Sequence, residues 1–288
     1  VRHLVELALE EDVGRGDATA DALWGPAAAA ASLMERSSEP TVKAVLLAKQ
    51  PLVVCGLPVA REVFEQTDPA IALSLDVPDG REVVTGTLLA ALTGPVRSVL
   101  AAERTALNFL QRMSGVSTLT RRFVRAVAGS GASIVDTRKT LPGWRRLDKY
   151  AVSIGGGGNH RADLGSGLLL KDNHIRACGS IGAAVAQLRR GAPHPLRIEV
   201  EVTTLEELQE ALRADVELVL LDNMDDAQVA AAVAVVRGRD RDVKVEVSGG
   251  VDLDRAATLA RLGVDLISVG RLTHSAPAVD ISLEILAP

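Results

Sequence analysis

The stretch LRIEVEVTTLEELQEALRADVELVLLDNMDDAQVAAAVAVVRGRDRDVKVEVSGGVDLDRAATLARLGVDLISVGR (196–271) decides the fold. Short apolar runs, LRIEVEV (196–202), ELVLLDN (217–223), VKVEVSGG (243–250) and DLISVGR (265–271), alternate there with helix-type segments. Those segments are TLEELQEALRA, MDDAQVAAAVAVVRG and DLDRAATLARLG. Strands alternating with helices predict right-handed βαβ units and a parallel sheet. ELVLL has no polar alternation, as expected of a strand covered on both faces. Working back, SIVDT (133–137) and GLLLKDN (167–173) are runs of the same type. That makes six clear strands, with room for a seventh. Nearly every run ends in polar or glycine residues: Asp136 to Lys139, Lys171 to His174, Glu201, Asp222-Asn223, Ser248-Gly249-Gly250 and Gly270-Arg271. An α/β barrel gathers its chemistry at such C-terminal strand ends, from many strands at once. An open sheet would concentrate it at one switch point. The spread of polar ends favours the barrel, with the open sheet as the alternative.

Before residue 130 the texture is irregular. TVKAVLLAKQPLVVCG (41–56) reads as two strand-type runs broken at Pro51, and a helix is expected from Pro58 to Gln66. IALSLDVPDG (71–80) alternates and then turns, and 82–94 looks like another strand pair. A long helix is expected over 94–115, starting near Pro95 and ending at Gly115. Its apolar stripe, Val99, Leu100, Leu107 and Leu110, has Glu103 inside it and Arg104 on its edge. Charges there are costly unless paired, so they suggest an internal ion pair, or a helix end facing a site or a partner subunit.

Composition narrows the class. A chain of 288 residues can bury a sizeable core without disulfide or metal staples. With three Phe, two Trp and one Tyr, that core must be aliphatic. So few stacking rings, with a net charge of −5, argue against nucleic acid as a partner. No run is apolar enough to span a membrane, and VRHLVELALEEDVG at the start carries too much charge for a secretory signal. A cytoplasmic protein is expected, with Cys55 and Cys178 as reduced, buried thiols. Basic residues divide into 26 Arg and only 6 Lys.

The strongest chemical signal is a basic island. Between Asp136 and Arg176 lie eight cations, Arg138, Lys139, Arg145, Arg146, Lys149, Arg161, Lys171 and Arg176, against four aspartates. His160 and His174 add to it, and the glycine run 155–158 delivers His160 and Arg161 beside it. Converging cations in a cleft attract a polyanion, although a charge run is also the mark of a solvated surface. Glu201 and Asp222 end successive strands, and either form ion pairs or share Mg²⁺ with phosphates. Glu199 has the same parity as Glu201, so pattern alone leaves either facing the ligand; Glu201 lies nearer the strand end. Ser248-Gly249-Gly250 and Val269-Gly270-Arg271 follow the last two strands, where barrel enzymes commonly bind phosphate; His274 is a weaker candidate for the same cup. These features describe an enzyme joining a phosphorylated sugar to an acidic co-substrate.

DTRKT (136–140), GGGGNHRADLGSGLLLKDNHI (155–175), IEVEV (198–202), LLDNM (220–224) and VSGG (247–250) resemble the quinolinate phosphoribosyltransferase family. EDVGRGDATAD (11–21) and AERTALNFLQRMSG (102–115) extend the resemblance over nearly the whole chain. It implies a type II phosphoribosyltransferase fold: an N-terminal α/β sandwich, residues 1–112 joined by the tail 272–288, and an incomplete parallel α/β barrel, residues 113–271, carrying the active site. It implies Mg²⁺-dependent transfer of phosphoribosyl to quinolinate with decarboxylation, giving nicotinate mononucleotide for NAD biosynthesis. By the same resemblance, quinolinate is held by Thr137, Arg138, His160, Arg161 and Lys171. Arg104 reaches in from the neighbouring subunit of a homodimer or larger assembly. The donor is held by Lys139, Lys171, Glu201 and Asp222, and its phosphate by Ser248, Gly249, Gly250, Val269, Gly270 and Arg271.

Three rivals remain at the level of sequence. Lys171 could act as a Schiff-base nucleophile, as in an aldolase. The chain could be a non-catalytic, phosphate-binding relative. It could also serve another pyridine carboxylate, although cations for a second carboxylate favour quinolinate.

Overall fold

The computed structural model describes residues 1–24 and 40–287; the alanine-rich run at 27–31 lies outside them. The chain forms two compact units. One comprises 1–118, 146–155 and 276–288, the other 119–145 and 156–275. The sequence drew the divisions at 112/113 and 271/272. The units divide at 118/119 and 275/276, and 146–155 returns to the first unit.

The first unit is built on an antiparallel sheet. Its strands β1 (Thr41–Ala48), β3 (Ala72–Leu75), β5 (Leu88–Pro95) and β12 (Ile281–Ile285) lie in the order β12-β1-β5-β3. Ala44, Leu46 and Ala48 are buried alternately along β1, as a half-covered sheet requires. Helix Leu57–Thr67 packs on β3 with Val59, Ala60, Val63 and Phe64 buried. The side chain of Asp79 accepts the N–H groups of Gly56 and Leu57 at 2.9 and 3.1 Å, satisfying donors that a helix start leaves open. A two-residue pair, β2 (Leu52–Val53) and β4 (Glu82–Val83), also belongs to this unit.

The long helix departs from expectation. It runs from Val96 to Ala126, straight through Gly115. Gly115 is there for space: a Cβ would lie 2.1 Å from the Pro277 carbonyl oxygen of the returning tail. Leu107 and Leu110 are buried, Glu103 is half-buried, and Arg104 is exposed, so its charge is not in the core.

The second unit is a parallel sheet of β6 (Ser133–Val135), β7 (Leu168–Leu170), β8 (Ile198–Val202), β9 (Leu218–Asp222), β10 (Lys244–Ser248) and β11 (Leu266–Ser268). Its order is β6-β11-β10-β9-β8-β7. Successive strands from β7 to β11 are neighbours, and β11 pairs back onto β6. That is the circular order of a barrel with the β6–β7 seam left open, so the fold is an incomplete parallel α/β barrel. At the seam, Gly158 bridges Val135 in parallel, donating to the Ile134 carbonyl at 2.7 Å. The glycine run thus acts as a rudimentary seventh strand.

Helices between the strands start where the sequence supplies caps. Ser180, Thr204, Asp225 and Asp252 accept N–H groups three residues on at 2.8–3.1 Å. Each cap stabilises its helix by about 1 kcal/mol. Val200, Val219, Leu221, Val245 and Val247 are wholly buried beneath these helices. Among the described residues no helix is long and apolar enough to cross a membrane. Both cysteines are free thiols; Cys55 is buried, but Cys178, at the end of a short helix, is half-exposed.

Candidate active site

All the candidate residues except Arg104 belong to the barrel unit. The loop after β6 carries Thr137, Arg138 and Lys139. It is tied to the glycine-run loop by Asp136, which is fully buried and accepts Asn159 Nδ2 at 2.7 Å and the His160 N–H at 2.8 Å. Arg145 bridges the same loops, donating to Thr140 Oγ1 and the Ala162 carbonyl. Asp136 and Arg145 were counted in sequence only as charges; their work is to hold Arg138 and Arg161 side by side.

Those two guanidinium groups are unbalanced. Arg161 donates to the Gly167 carbonyl at 3.0 Å, yet its Nε is buried and unpartnered, as is the Nε of Arg138. Burial, and then the neighbouring Arg138 charge, push the Arg161 pKa down. Two adjacent half-buried cations of this kind fit an anionic ligand.

Lys171 ends β7, and its Nζ is ion-paired with Glu201 Oε2 at the end of β8. A lysine engaged by a carboxylate is not the isolated nucleophile that the aldolase alternative calls for. Glu199 takes a different position from Glu201. It is buried, and its Oε2 lies 3.3 Å from His160 Nε2, with Glu246 Oε1 of β10 at 3.6 Å from the same nitrogen. Glu201 is therefore the carboxylate beside Lys171, and Glu199 faces His160. Burial, and then the Glu199 charge, push Glu246 up to about 8. Glu246 escaped the sequence reading, although a charge between Val245 and Val247, with the parity of Ser248, was a visible signal.

The two glycine loops contact other candidate residues. Asp222 accepts the Asn223 amide at 2.8 Å, and the Asn223 N–H donates to the Ser248 carbonyl at 3.0 Å. Gly249 has φ +101°, and a Cβ there would lie 2.2 Å from Asn223 Oδ1, so only glycine lets the loops after β9 and β10 touch. Arg255 clamps them by donating to the carbonyls of Gly249 and Met224. A Cβ on Gly270 would meet Lys139 Cδ at 3.2 Å and the His274 ring at 3.3 Å, so Lys139 and His274 converge on the loop after β11. Thr273 Oγ1 donates to the Lys139 carbonyl at 2.7 Å. Arg271 is exposed and Val269 is buried.

The island itself is smaller than the sequence suggested. Arg146 and Lys149 lie on helix Arg145–Ile154 within the first unit, with Lys149 buried, and its neighbour Asp148 pairs with Arg112 at 3.1 Å. That amphipathic helix passed unseen because its charges read as part of the island. Below the His160 cluster, a cavity of about 310 Å³ reaches the N-terminal strand ends at Leu196, Arg197, Leu218 and Leu266.

An incomplete α/β barrel whose strand ends gather paired arginines, a lysine–glutamate pair and glycine-lined loops defines a barrel enzyme for anionic substrates. Comparison with known proteins makes the class specific. Residues 17–114 match the N-terminal and 116–284 the C-terminal domain model of quinolinate phosphoribosyl transferase. The chain belongs to that family and is a phosphoribosyltransferase. It is 40% identical over 278 residues to a probable nicotinate-nucleotide pyrophosphorylase (carboxylating) of Synechocystis, covering 96% of this chain and 90% of the relative. It is 38% identical over 247 residues to the human nicotinate-nucleotide pyrophosphorylase (carboxylating), covering 85% and 82%. The solved nicotinate-nucleotide pyrophosphorylase of Francisella tularensis superposes with a TM-score of 0.89 at 37% identity, over 99% of this chain and 95% of that one.

Proposed function

We propose that the enzyme transfers the phosphoribosyl group of phosphoribosyl pyrophosphate to quinolinate, releasing pyrophosphate and CO₂ and leaving nicotinate mononucleotide, a step of de novo NAD biosynthesis. The observation that carries this reading is the pair of buried, unpartnered guanidinium nitrogens on Arg138 and Arg161. With Lys171 and Thr137 in the same unit, they supply donors for two carboxylates rather than one, while His160 holds the Arg161 backbone. The name shared by the relatives supports it, since carboxylating pyrophosphorolysis of a nicotinate nucleotide is this reaction reversed.

In this reading the ring nitrogen of quinolinate forms the new bond to the ribose carbon as the bond to pyrophosphate breaks. Arg138, Arg161 and His160 orient the dicarboxylate. Glu201 and Asp222 face the positive charge that develops on the ribose, and Lys139 neutralises the departing pyrophosphate. The resulting pyridinium accepts the electron pair left when the 2-carboxylate departs as CO₂, and that carbon then takes a proton from water. No side-chain nucleophile is needed. The backbone N–H groups around Ser248, Gly249, Gly250, Gly270 and Arg271, with His274 beside them, suit the 5-phosphate, whereas the Val269 N–H is taken by the Val135 carbonyl at 2.9 Å.

The donor set also fits Mg²⁺. Glu201 and Asp222 are half-buried hard oxygen ligands at neighbouring strand ends, and Mg²⁺ typically keeps remaining positions for water and phosphate oxygens. When bound, the ion would neutralise charge on the donor's phosphates. The exposed Arg104 is assigned to the quinolinate site of a partner subunit in a cytoplasmic homodimer or larger assembly.

Purified protein supplied with quinolinate, phosphoribosyl pyrophosphate and Mg²⁺ should release CO₂ and nicotinate mononucleotide. Nicotinate in place of quinolinate should give much less product. Failure to form the nucleotide from quinolinate, where a working relative does so in parallel, would overturn the assignment.

A further inference from the structure

Glu199 and Glu246 are two carboxyls inside the barrel, 7% and 2% exposed, and in each the Oε1 makes no hydrogen bond, although that of Glu246 lies 3.6 Å from His160 Nε2. Their ligand-type atoms and His160 Nε2 all lie within 4.8 Å of one another. Two buried carboxylates this close cannot both be anions without a counter-charge. His160 is the basic group between them, and its other nitrogen settles what it can give. Nδ1 accepts the backbone N–H of Arg161 at 2.7 Å. The Glu199 hydrogen bond pushes the His160 pKa up, but a second ring proton would have to sit on Nδ1, where it would face the Arg161 N–H; with Nδ1 accepting, the ring proton sits on Nε2, pointed at the glutamates. The same fact argues against a metal centre here, because a metal would need the lone pair of Nε2. A neutral histidine donating one proton leaves the two carboxyls to share another. Glu246 is the more deeply buried; Ser268 and His160 pull its proton off, while burial and Glu199 hold it on more strongly.

We propose that Glu246 is a positioning residue for the acidic co-substrate: as a neutral acid it donates to Glu199, which receives the Nε2–H of His160, and this relay fixes the ring's tautomer and the adjoining Arg161 peptide. His160 and Arg161 are consecutive, and the Nδ1 contact joins the ring to the Arg161 backbone. Rotating the imidazole therefore re-aims the Arg161 guanidinium. Arg138, whose charge lies close enough to depress the Arg161 pKa, would lose its companion. The effect should fall on quinolinate and spare the sugar donor, because Lys171 and Glu201 make their own pair.

This inference rests on the proposed substrate, and the test separates the two. Glu246→Gln keeps a donor toward Glu199; Glu246→Leu removes it at similar size. Glu246→Gln should hold the KM for quinolinate within about threefold of wild type. Glu246→Leu should raise it by about tenfold or more, the loss expected when a buried charged acceptor is orphaned, with the KM for phosphoribosyl pyrophosphate little changed. Equal losses in Glu246→Gln and Glu246→Leu, or an unchanged quinolinate KM in Glu246→Leu, would overturn the relay. Imidazole ¹⁵N shifts supply a readout independent of turnover and of Glu246→Leu folding. His160 should be the single-proton Nε2–H form in wild type and Glu246→Gln near neutral pH, and an imidazolium or Nδ1–H ring would sink the idea. If wild type turns over no quinolinate, the substrate assignment fails while the tautomer measurement still judges the relay.

Discussion

Lys171 is ion-paired with the Glu201 carboxylate, and in the proposed reaction it also serves an incoming anionic substrate. A compact ammonium on a flexible stem can divide its three donors in this way, whereas a planar guanidinium fork commits them to one plane. The same reasoning holds for Lys139, which reaches the Gly270 loop through its own stem. A chain with 26 arginines and 6 lysines uses lysine sparingly, and two of the six fall at these strand ends. Lys139→Ala and Lys171→Ala should each lower kcat/KM by more than about tenfold, the loss of one charge-assisted contact to the transition state. Lys171→Arg should recover little of it. Steady-state kinetics beside a circular-dichroism check of folding would decide, and a near-normal rate in any of the three would contradict the site.

At the scale of elements, the βαβ rhythm from 196 onward was legible because each strand is an apolar run and each helix between two strands begins at a Thr or Asp cap. The strand-end residues were legible for the same reason. What sequence could not supply was contact between distant segments. Gly115 reads as a helix stop, but it is the point where the tail crosses at close range. The glycine run reads as a loop that delivers His160 and Arg161, yet Gly158 hydrogen-bonds along β6. Helix Arg145–Ile154 was hidden because its charges resembled those of the binding loops around it. Glu246 was hidden by the apolar strand that carries it. Gly115→Ala turns the first of these into a measurement. Its methyl would need room that the Pro277 carbonyl occupies, so the tail or the helix must shift. The expected cost is about 1–3 kcal/mol, the usual penalty of overpacking. Urea unfolding should show it as a lower midpoint, and an unchanged midpoint would mean the tail does not cross there.

For the whole molecule, the question is why a helix of the first unit carries an exposed arginine in the AERT sequence (102–105). The sequence placed this charge on the edge of an apolar stripe, where it demanded a partner. The structure relieves that demand, since Arg104 is exposed, while Leu107 and Leu110 close the stripe behind it. Exposure leaves the guanidinium available to a site in a second copy. If it completes the quinolinate site of a second copy, each active site takes its barrel from one chain and Arg104 from another. Arg104→Ala alone should then impair quinolinate turnover, as should Lys139→Ala alone. A mixed dimer of the two variants contains one site with both defects and one with neither. Co-refolding equal amounts should therefore restore activity to about a quarter of wild type, from random pairing in which half the dimers carry one intact site of two. If each site were made by a single chain, every site in the mixture would carry one of the two defects, and mixing would restore nothing.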